Sequence, residues 1–273
     1  LHSLRRRQRQ MCIRDRSNEG IAVYNSAYID GIITAFMILF GINFNLIYFF
    51  LIGKIAPVLK SEELRGYLAI IAGSTLLITL NIASQYPSYL KAFRYAVFQV
   101  ASIITTTGFT TTNYDNWPMF SQTILLLLMF IGACAGSTGG GIKVSRIIML
   151  SKQAIQELKK MIHSRSVTTL NFEGEAIAPK TISNVYSYLV LYLLVFAVSL
   201  LILSLENLDF QTTFSAVATC INNVGPGFKA IGPTGNFGFL SDFSKWTLSF
   251  AMLAGRLEIF PILLLFSKSL WKS

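Results

Sequence analysis

The stretch Ala92 to Thr110, AFRYAVFQVASIITTTGFT, decides how this chain folds. Residues Ala92 to Thr105 are mostly apolar or small, which suits a helix of about 21 Å at 1.5 Å per residue. A hydrocarbon core of ~30 Å is too thick for that helix to cross. The run Thr105-Thr106-Thr107-Gly108-Phe109-Thr110 follows at once, then a polar connection, then a new apolar helix from Met119. A short helix that enters a membrane and returns as extended, glycine-bearing chain fits this order.

The order recurs. Phe210 to Ile221 is again short and apolar, and Asn222-Asn223-Val224-Gly225-Pro226-Gly227 follows it before the helix that contains Trp246. Repeated units of this kind are what membrane transport proteins are commonly assembled from. Two units of helix, half-helix, glycine strand and helix are expected, at residues 66 to 163 and 183 to 270. The helix Gly31 to Gly53 has no half-helix before it and reads as the closing helix of an earlier unit. The expected division is 1–16 as a basic non-native segment, 17–60 as the end of a second unit, 61–180 as a third pore unit with a cytoplasmic extension, and 181–273 as a fourth. The fold class is all-α integral membrane protein.

Composition places these units in lipid. Apolar residues make up 53% of the 273, charged residues only 13%, and mean hydropathy is +0.55, more apolar than one soluble core requires. Five stretches reach spanning length: Gly31–Gly53, Gly66–Ser84, Met119 onward, Ser183–Leu205 and Trp246–Leu270. The net charge of +10 does not point to nucleic acid, because residues 1–16 hold six arginines against Asp15, and without them +5 remains. That segment lacks the apolar stretch of a signal peptide; it reads as adaptor-derived, the alternative being a basic cytoplasmic tail. Lysines and arginines in alternate connections number twelve on one side (Lys54 to Arg65, Lys143 to Lys180, Lys268 and Lys272) and four on the other (Lys91, Arg94, Lys229, Lys245). Positive residues stay cytoplasmic, so 142–180 faces the cytoplasm and 85–118 and 206–245 face outward. Cys12, Cys134 and Cys220 are too dispersed for a disulfide framework or a CxxC metal site.

Irregular backbone at membrane depth is costly unless it is buried in protein or faces a water-filled path. A filter makes such backbone useful, since carbonyl oxygens replace the hydration shell of a cation and a half-helix C-terminus turns partial negative charge toward it. Gly108 alone could be a loop glycine, and Asn222 to Gly227 an ordinary turn. Their shared position, after short apolar helices on one expected side, favours the filter. Neither run holds a carboxylate, so backbone coordination of a large, weakly hydrated monovalent cation is indicated.

The helix from Met119 is interrupted by Gly136-Ser137-Thr138-Gly139-Gly140-Gly141 before Ile142-Lys143-Val144-Ser145-Arg146. A phosphate-cradling loop would continue with Lys and Ser or Thr, and Ile142 follows instead. In a membrane this is an intramembrane loop beneath the filter, able to obstruct or clear the pore. Arg256 and Glu258 lie mid-way along the last apolar stretch, where charge is expensive. Being two residues apart they face different ways, so Arg256 is expected to hydrogen-bond carbonyls of the loop; a purely structural buried ion pair is the alternative.

TTTGFT, GSTGGGIK, NNVGPGF and Gly255-Arg256-Leu257-Glu258-Ile259-Phe260 together resemble the TrkH/KtrB superfamily of bacterial potassium uptake proteins, on the TrkH side, from about Ser17 onward. The resemblance implies four units around one pore in the bacterial inner membrane. It implies K⁺ held by carbonyls at Thr106, Thr107 and Gly108 and at Asn223, Val224 and Gly225, with no organic cofactor. It implies a gate at Gly136, Ser137, Thr138, Gly139, Gly140 and Gly141 with Lys143 and Arg256 close by. A homodimer and a cytosolic nucleotide-binding regulatory subunit of the TrkA/KtrA type are the implied partners, the basic segment Lys152 to Lys180 being the natural contact. The first unit and the second filter strand are absent from this sequence, so the chain is expected to be part of a transporter and not to conduct alone. Two other classes stay open: a cation-coupled carrier of a small solute, and a non-conducting membrane subunit. An enzyme is disfavoured, since His2 and His163 lie outside the spans and no catalytic constellation is apparent.

Overall fold

The computed structural model describes residues 20–163 and 170–257. Several expectations lie outside those residues: the segment 1–16 with His2 and Cys12, Arg165, Glu258, Lys268, Lys272 and the distal part of the Trp246–Leu270 span.

The chain runs through α1 (Ala27–Phe40), α2 (Phe44–Leu51), α3 (Ile55–Lys60), α4 (Glu62–Ile82), α5 (Tyr89–Ile104), α6 (Met119–Phe130) and α7 (Val144–Ile162). A hairpin of β1 (Asn171–Phe172) and β2 (Glu175–Ala176) follows, then α8 (Pro179–Leu203), α9 (Phe210–Asn222) and α10 (Asp242–Arg256). Local chemistry sets the starts. Ser61, Ser88, Asp209 and Ser241 each accept a backbone N–H from the first turn of α4, α5, α9 and α10. Pro179 occupies the first turn of α8, where its missing N–H costs nothing.

Among the described residues two helices, Glu62–Gln85 and Pro179–Glu206 with their 3₁₀ ends included, are long and apolar enough to cross a membrane. The burial pattern suits lipid: Leu76, Leu80, Val190 and Leu201 lie more than half exposed, while Gln99, Thr212, Ser215 and Asn222 are fully buried. An aqueous protein would not leave so much aliphatic surface uncovered.

The expected single helix Gly31–Gly53 is corrected. It is the pair α1 and α2, bent by 102° across Gly41-Ile42-Asn43. Tyr67 sits so close that a Cβ on Gly41 would lie 2.2 Å from its hydroxyl oxygen. The amide freed by the bend at Phe44 donates to the Gly136 carbonyl (3.3 Å), and the Gly41 carbonyl accepts from Cys134 N (3.1 Å). The Asn43 side chain caps α2 through Asn45 N. The bend is thus held by the segment between α6 and α7.

Two further expectations are corrected. Helix from Met119 to Gly136 ends at Phe130, and 131–143 is non-helical up to the start of α7. The end falls early because Ile131 pairs with Ile142, and Gly132 N donates to Ile142 O at 2.8 Å. A Cβ on Gly132 would lie 2.1 Å from Gly140 O, so the two limbs of the loop pass in backbone contact. The all-α expectation also omits the hairpin, with Asn171 opposite Ala176 and Phe172 opposite Glu175. Glu173 and Gly174 turn it with φ of 54° and 83°, the left-handed pair that a tight hairpin requires.

Among the described residues three apolar clusters form the core, the smallest being Ile21, Met37, Phe98 and Ala101, where α1 meets α5; the other two are larger. One gathers residues of α4, α5 and α6 and takes in Val224 and Phe228, from beyond α9; the other joins α8, α9 and α10. The first of these two therefore packs the chain that follows α9 against α5.

Candidate ion site

The two glycine runs share one backbone course. α5 ends in Thr105, after which Thr106 is left-handed (φ 54°) and Gly108 has φ 79°. α9 ends before Asn223, left-handed at φ 58°, and Gly225 has φ 111°. In each, the residue after the left-handed one donates its N–H to the carbonyl five positions back: Thr107 N to Ser102 O and Val224 N to Thr219 O, both 2.9 Å. The glycine amides bond to the same helix positions, Gly108 N to Ser102 O at 3.3 Å and Gly225 N to the Thr219 hydroxyl at 2.8 Å.

These bonds direct the N–H groups back into the parent helices. The carbonyls of Thr106, Thr107, Gly108, Val224 and Gly225 accept no hydrogen bond from any described residue. The two runs also touch. A Cβ on Gly108 would lie 2.3 Å from Val224 O, and one on Gly225 would lie 3.9 Å from the Gly108 Cα. Only glycine allows that approach at Gly108, where its positive φ independently excludes a side chain at low cost. Tyr114, fully buried, adds a brace by donating its hydroxyl to Gly227 O at 2.8 Å.

The 131–143 loop lies against the ends of both short helices. Gly140 N donates to the Thr106 hydroxyl at 2.8 Å. A Cβ on Gly140 would meet Asn222 O at 2.5 Å, and one on Gly139 would lie 3.6 Å from Thr105 O. Two cations hold the loop's carbonyls: Lys143 Nζ donates to Gly139 O at 2.5 Å and Arg256 Nη1 to Thr138 O at 2.9 Å. Ser137 turns inward on Cys134 O at 2.6 Å. A cavity of about 310 Å³ remains, lined by Gly136, Ser137, Gly139, Gly140, Gly141, Lys143, Gly255 and Arg256. Gly255 is there because a Cβ would stand 1.6 Å from Ile221 O, where α10 crosses the end of α9. The structure thus brings together every candidate residue, the six of the two runs and the eight of the loop and its cations. A larger open groove of about 720 Å³, between α7 and α8, includes none of them.

One residue at this site is not among the candidates read from sequence. Glu63, 5% exposed, accepts Ala135 N at 2.7 Å and Ser145 N at 3.2 Å, clamping both limbs of the loop to α4. The available signal was Ser61-Glu62-Glu63, an acid pair in the first turn of a spanning helix. Among the described residues no group of three or more His, Cys, Asp or Glu side chains is placed to hold a metal ion.

A family model described as TrkH, a cation transport protein, matches residues 16–273. The Trk system potassium uptake protein TrkH of Vibrio parahaemolyticus is 39% identical over 255 residues, covering 92% of this chain and 52% of the relative. TrkH of Escherichia coli is 36% identical over the same length and shares, and TrkG of Escherichia coli 34% identical over 259 residues, 94% of this chain and 53% of that protein. The crystal structure of the potassium transporter TrkH from Vibrio parahaemolyticus superposes with a TM-score of 0.84 at 39% identity, covering 93% of this chain and 55% of that one. These relatives are named as potassium uptake proteins or a potassium transporter, and the chain spans about half their length. It belongs to the TrkH family of cation transport proteins.

Proposed function

We propose that this chain supplies two of the strands of a potassium-selective filter, together with its intramembrane gate, in a transporter that takes up K⁺ across the bacterial inner membrane. The observation that carries the reading is the pair of matched runs whose N–H groups are bonded inward while five of their carbonyls receive no donor from the described residues. A dehydrating monovalent cation needs such oxygens in place of water. Thr106, Thr107, Gly108, Asn223, Val224 and Gly225 provide them, and α5 and α9 end beside them with the negative ends of their dipoles. The chain enters and leaves the membrane at α5 and α9 as re-entrant segments, and α6 and α7 are the halves of one broken span.

The loop 136–141 then lies on the cytoplasmic side of the filter, with Lys143 and Arg256 as its fixed charges. A cation passing within ~4 Å of such a charge, at an effective dielectric of about 20, meets a barrier of about 4 kcal/mol, enough to suppress flux several-hundredfold. Conduction requires the loop, and the cations attached to it, to withdraw. Potassium uptake is the activity named for the relatives, and it suits the absence of carboxylates from both runs. The whole transporter is a homodimer with a TrkA/KtrA-type cytosolic regulatory subunit, for which the basic face of α7, with Lys152, Lys159 and Lys160, is the contact.

The intact protein, expressed in a bacterium deficient in potassium uptake, is expected to restore growth at low external K⁺. Failure to do so, with the protein correctly inserted, contradicts the reading.

A further inference from the structure

The cytoplasmic hairpin is joined to the intramembrane loop by a continuous chain of hydrogen bonds, and the link is made by two acids. Glu173, at the exposed turn between β1 and β2, sends its carboxylate to the start of α4, where one oxygen accepts the Ser61 hydroxyl at 2.9 Å and Glu63 N at 3.0 Å. This is an N-terminal cap supplied from more than a hundred residues away, and Ser61 in turn caps Leu64 N at 3.2 Å. The residue whose amide is held, Glu63, uses its own buried side chain to hold Ala135 N and Ser145 N. One residue thus has its backbone fixed by the hairpin and its carboxylate fixed to both limbs of the loop. Charge-assisted bonds to backbone N–H groups are short and strong, and the N-terminus of α7 at Ser145 favours a carboxylate.

A second tie fixes the hairpin itself. Lys152 on α7 donates to Asn171 O at 2.8 Å and pairs with the Glu62 carboxylate, and Ile177 N closes the hairpin base on Leu170 O at 2.8 Å. The hairpin is therefore tied both to the first turn of α4, through Glu173, and to α7, through Lys152.

We infer that Glu173 and Glu63 form a relay that sets the position of the 131–143 loop from the cytoplasmic face, Glu173 as the exposed input and Glu63 as the positioning residue on the loop. This rests on the gating role proposed above for that loop.

The test is hydrogen exchange and rubidium flux on the intact protein in liposomes, for Glu173→Ala and Glu173→Gln, with Arg256→Ala as the gate control. Glu173→Ala removes the acceptor from an exposed turn; it is expected to speed amide exchange at 61–64 and at 135–145 several-fold and to change basal flux by a similar factor. Glu173→Gln keeps an oxygen in place and should return most of both effects. Faster exchange at 61–64 with no change at 135–145, or no change at either, overturns the relay. Faster exchange at 135–145 with flux unchanged in both Glu173→Ala and Arg256→Ala keeps the relay and removes the gate. If Glu173→Ala fails to insert, Ser61→Ala, which deletes the hydroxyl between Glu173 and Leu64, takes its place, and the same results support or overturn the relay.

Discussion

The run after α5 and the run after α9 reach the same backbone shape with different chemistry. In the first, support is local and made of hydroxyls: Thr105 bonds Ala101 O and meets Thr107, and Ser102 reaches Phe109 O at 2.6 Å. In the second, support comes from farther away. Asn223 donates to Met252 O of α10 at 3.0 Å, Phe228 N rests on the Ser215 hydroxyl at 3.0 Å, and Tyr192 reaches Asn222 at 3.0 Å. The first is also bonded to the glycine loop, through Thr106. What is common is the left-handed residue, the amide bonded five positions back and the positive-φ glycine, so the geometry, and not the side chains, is the requirement. The first run is positioned to move with the loop, and the second is anchored to α10.

The glycines give the largest contrast. Gly108→Ala forces a Cβ to 2.3 Å from Val224 O as well as into a left-handed conformation. Gly225→Ala meets nothing nearer than 3.9 Å and carries backbone strain alone, about 1–3 kcal/mol. Rubidium uptake should be abolished by the first and reduced by the second to a measurable residue. Equal loss would break this asymmetry.

Thr219→Val tests the anchored run next. It leaves Gly225 N without its acceptor, a loss of about 1–3 kcal/mol for a desolvated donor. Ser102→Ala keeps the backbone bonds of Thr107 and Gly108 and loses only the hydroxyl. K⁺ over Na⁺ discrimination should therefore fall about tenfold in Thr219→Val and little in Ser102→Ala, read as the ratio of flux rates. Thr106→Val should do the opposite of both. It removes the acceptor for Gly140 N, worth about 1 kcal/mol, and so should raise basal flux a few-fold without changing selectivity.

Sequence reading reached the two short helices and the glycine runs because the apolar stretches are unambiguous in length and glycine takes up φ values such as the 79° of Gly108 and the 111° of Gly225 without a Cβ penalty. Expected Ala92–Thr105 and Phe210–Ile221 correspond to α5 and α9 within three residues. The bend between α1 and α2 was hidden, because Gly41-Ile42-Asn43 sits in a continuous apolar run and the bend is fixed by Tyr67 and Cys134, far along the chain. The early end of α6 was hidden likewise, since Ile131 leaves the helix to pair with Ile142. Asn171 to Ala176 lacks the Asn-Gly or Asp-Gly signal of a hairpin, and Glu-Gly serves instead. Glu63 could be seen as a first-turn acid, but its partners lie 72 and 82 residues away, which no local pattern encodes.

The smallest effect belongs to the start of α9. Asp209 accepts from the Thr212 hydroxyl at 2.6 Å and from Thr212 N at 3.1 Å, and Lys229 Nζ stands 3.2 Å away. The Thr212 hydroxyl first, then its amide and Lys229, hold the Asp209 carboxyl below the usual value of 3.8. Its contribution to stability is complete above 3.8 and is lost as pH falls through the lower folded value. Asp209→Asn should make the acid-side decline in thermal stability of the solubilised protein slightly shallower, with no effect on flux. A matching change in flux would carry the effect along α9 to the second run and displace α10 as its main anchor.

The most direct measurement is an anomalous difference map from crystals of the intact protein grown in Rb⁺ or Tl⁺. A peak is expected between Gly108 and Gly225, within coordination distance of carbonyl oxygens from both runs. Ion density confined to side-chain sites elsewhere, with those carbonyls turned onto protein donors, would contradict the filter.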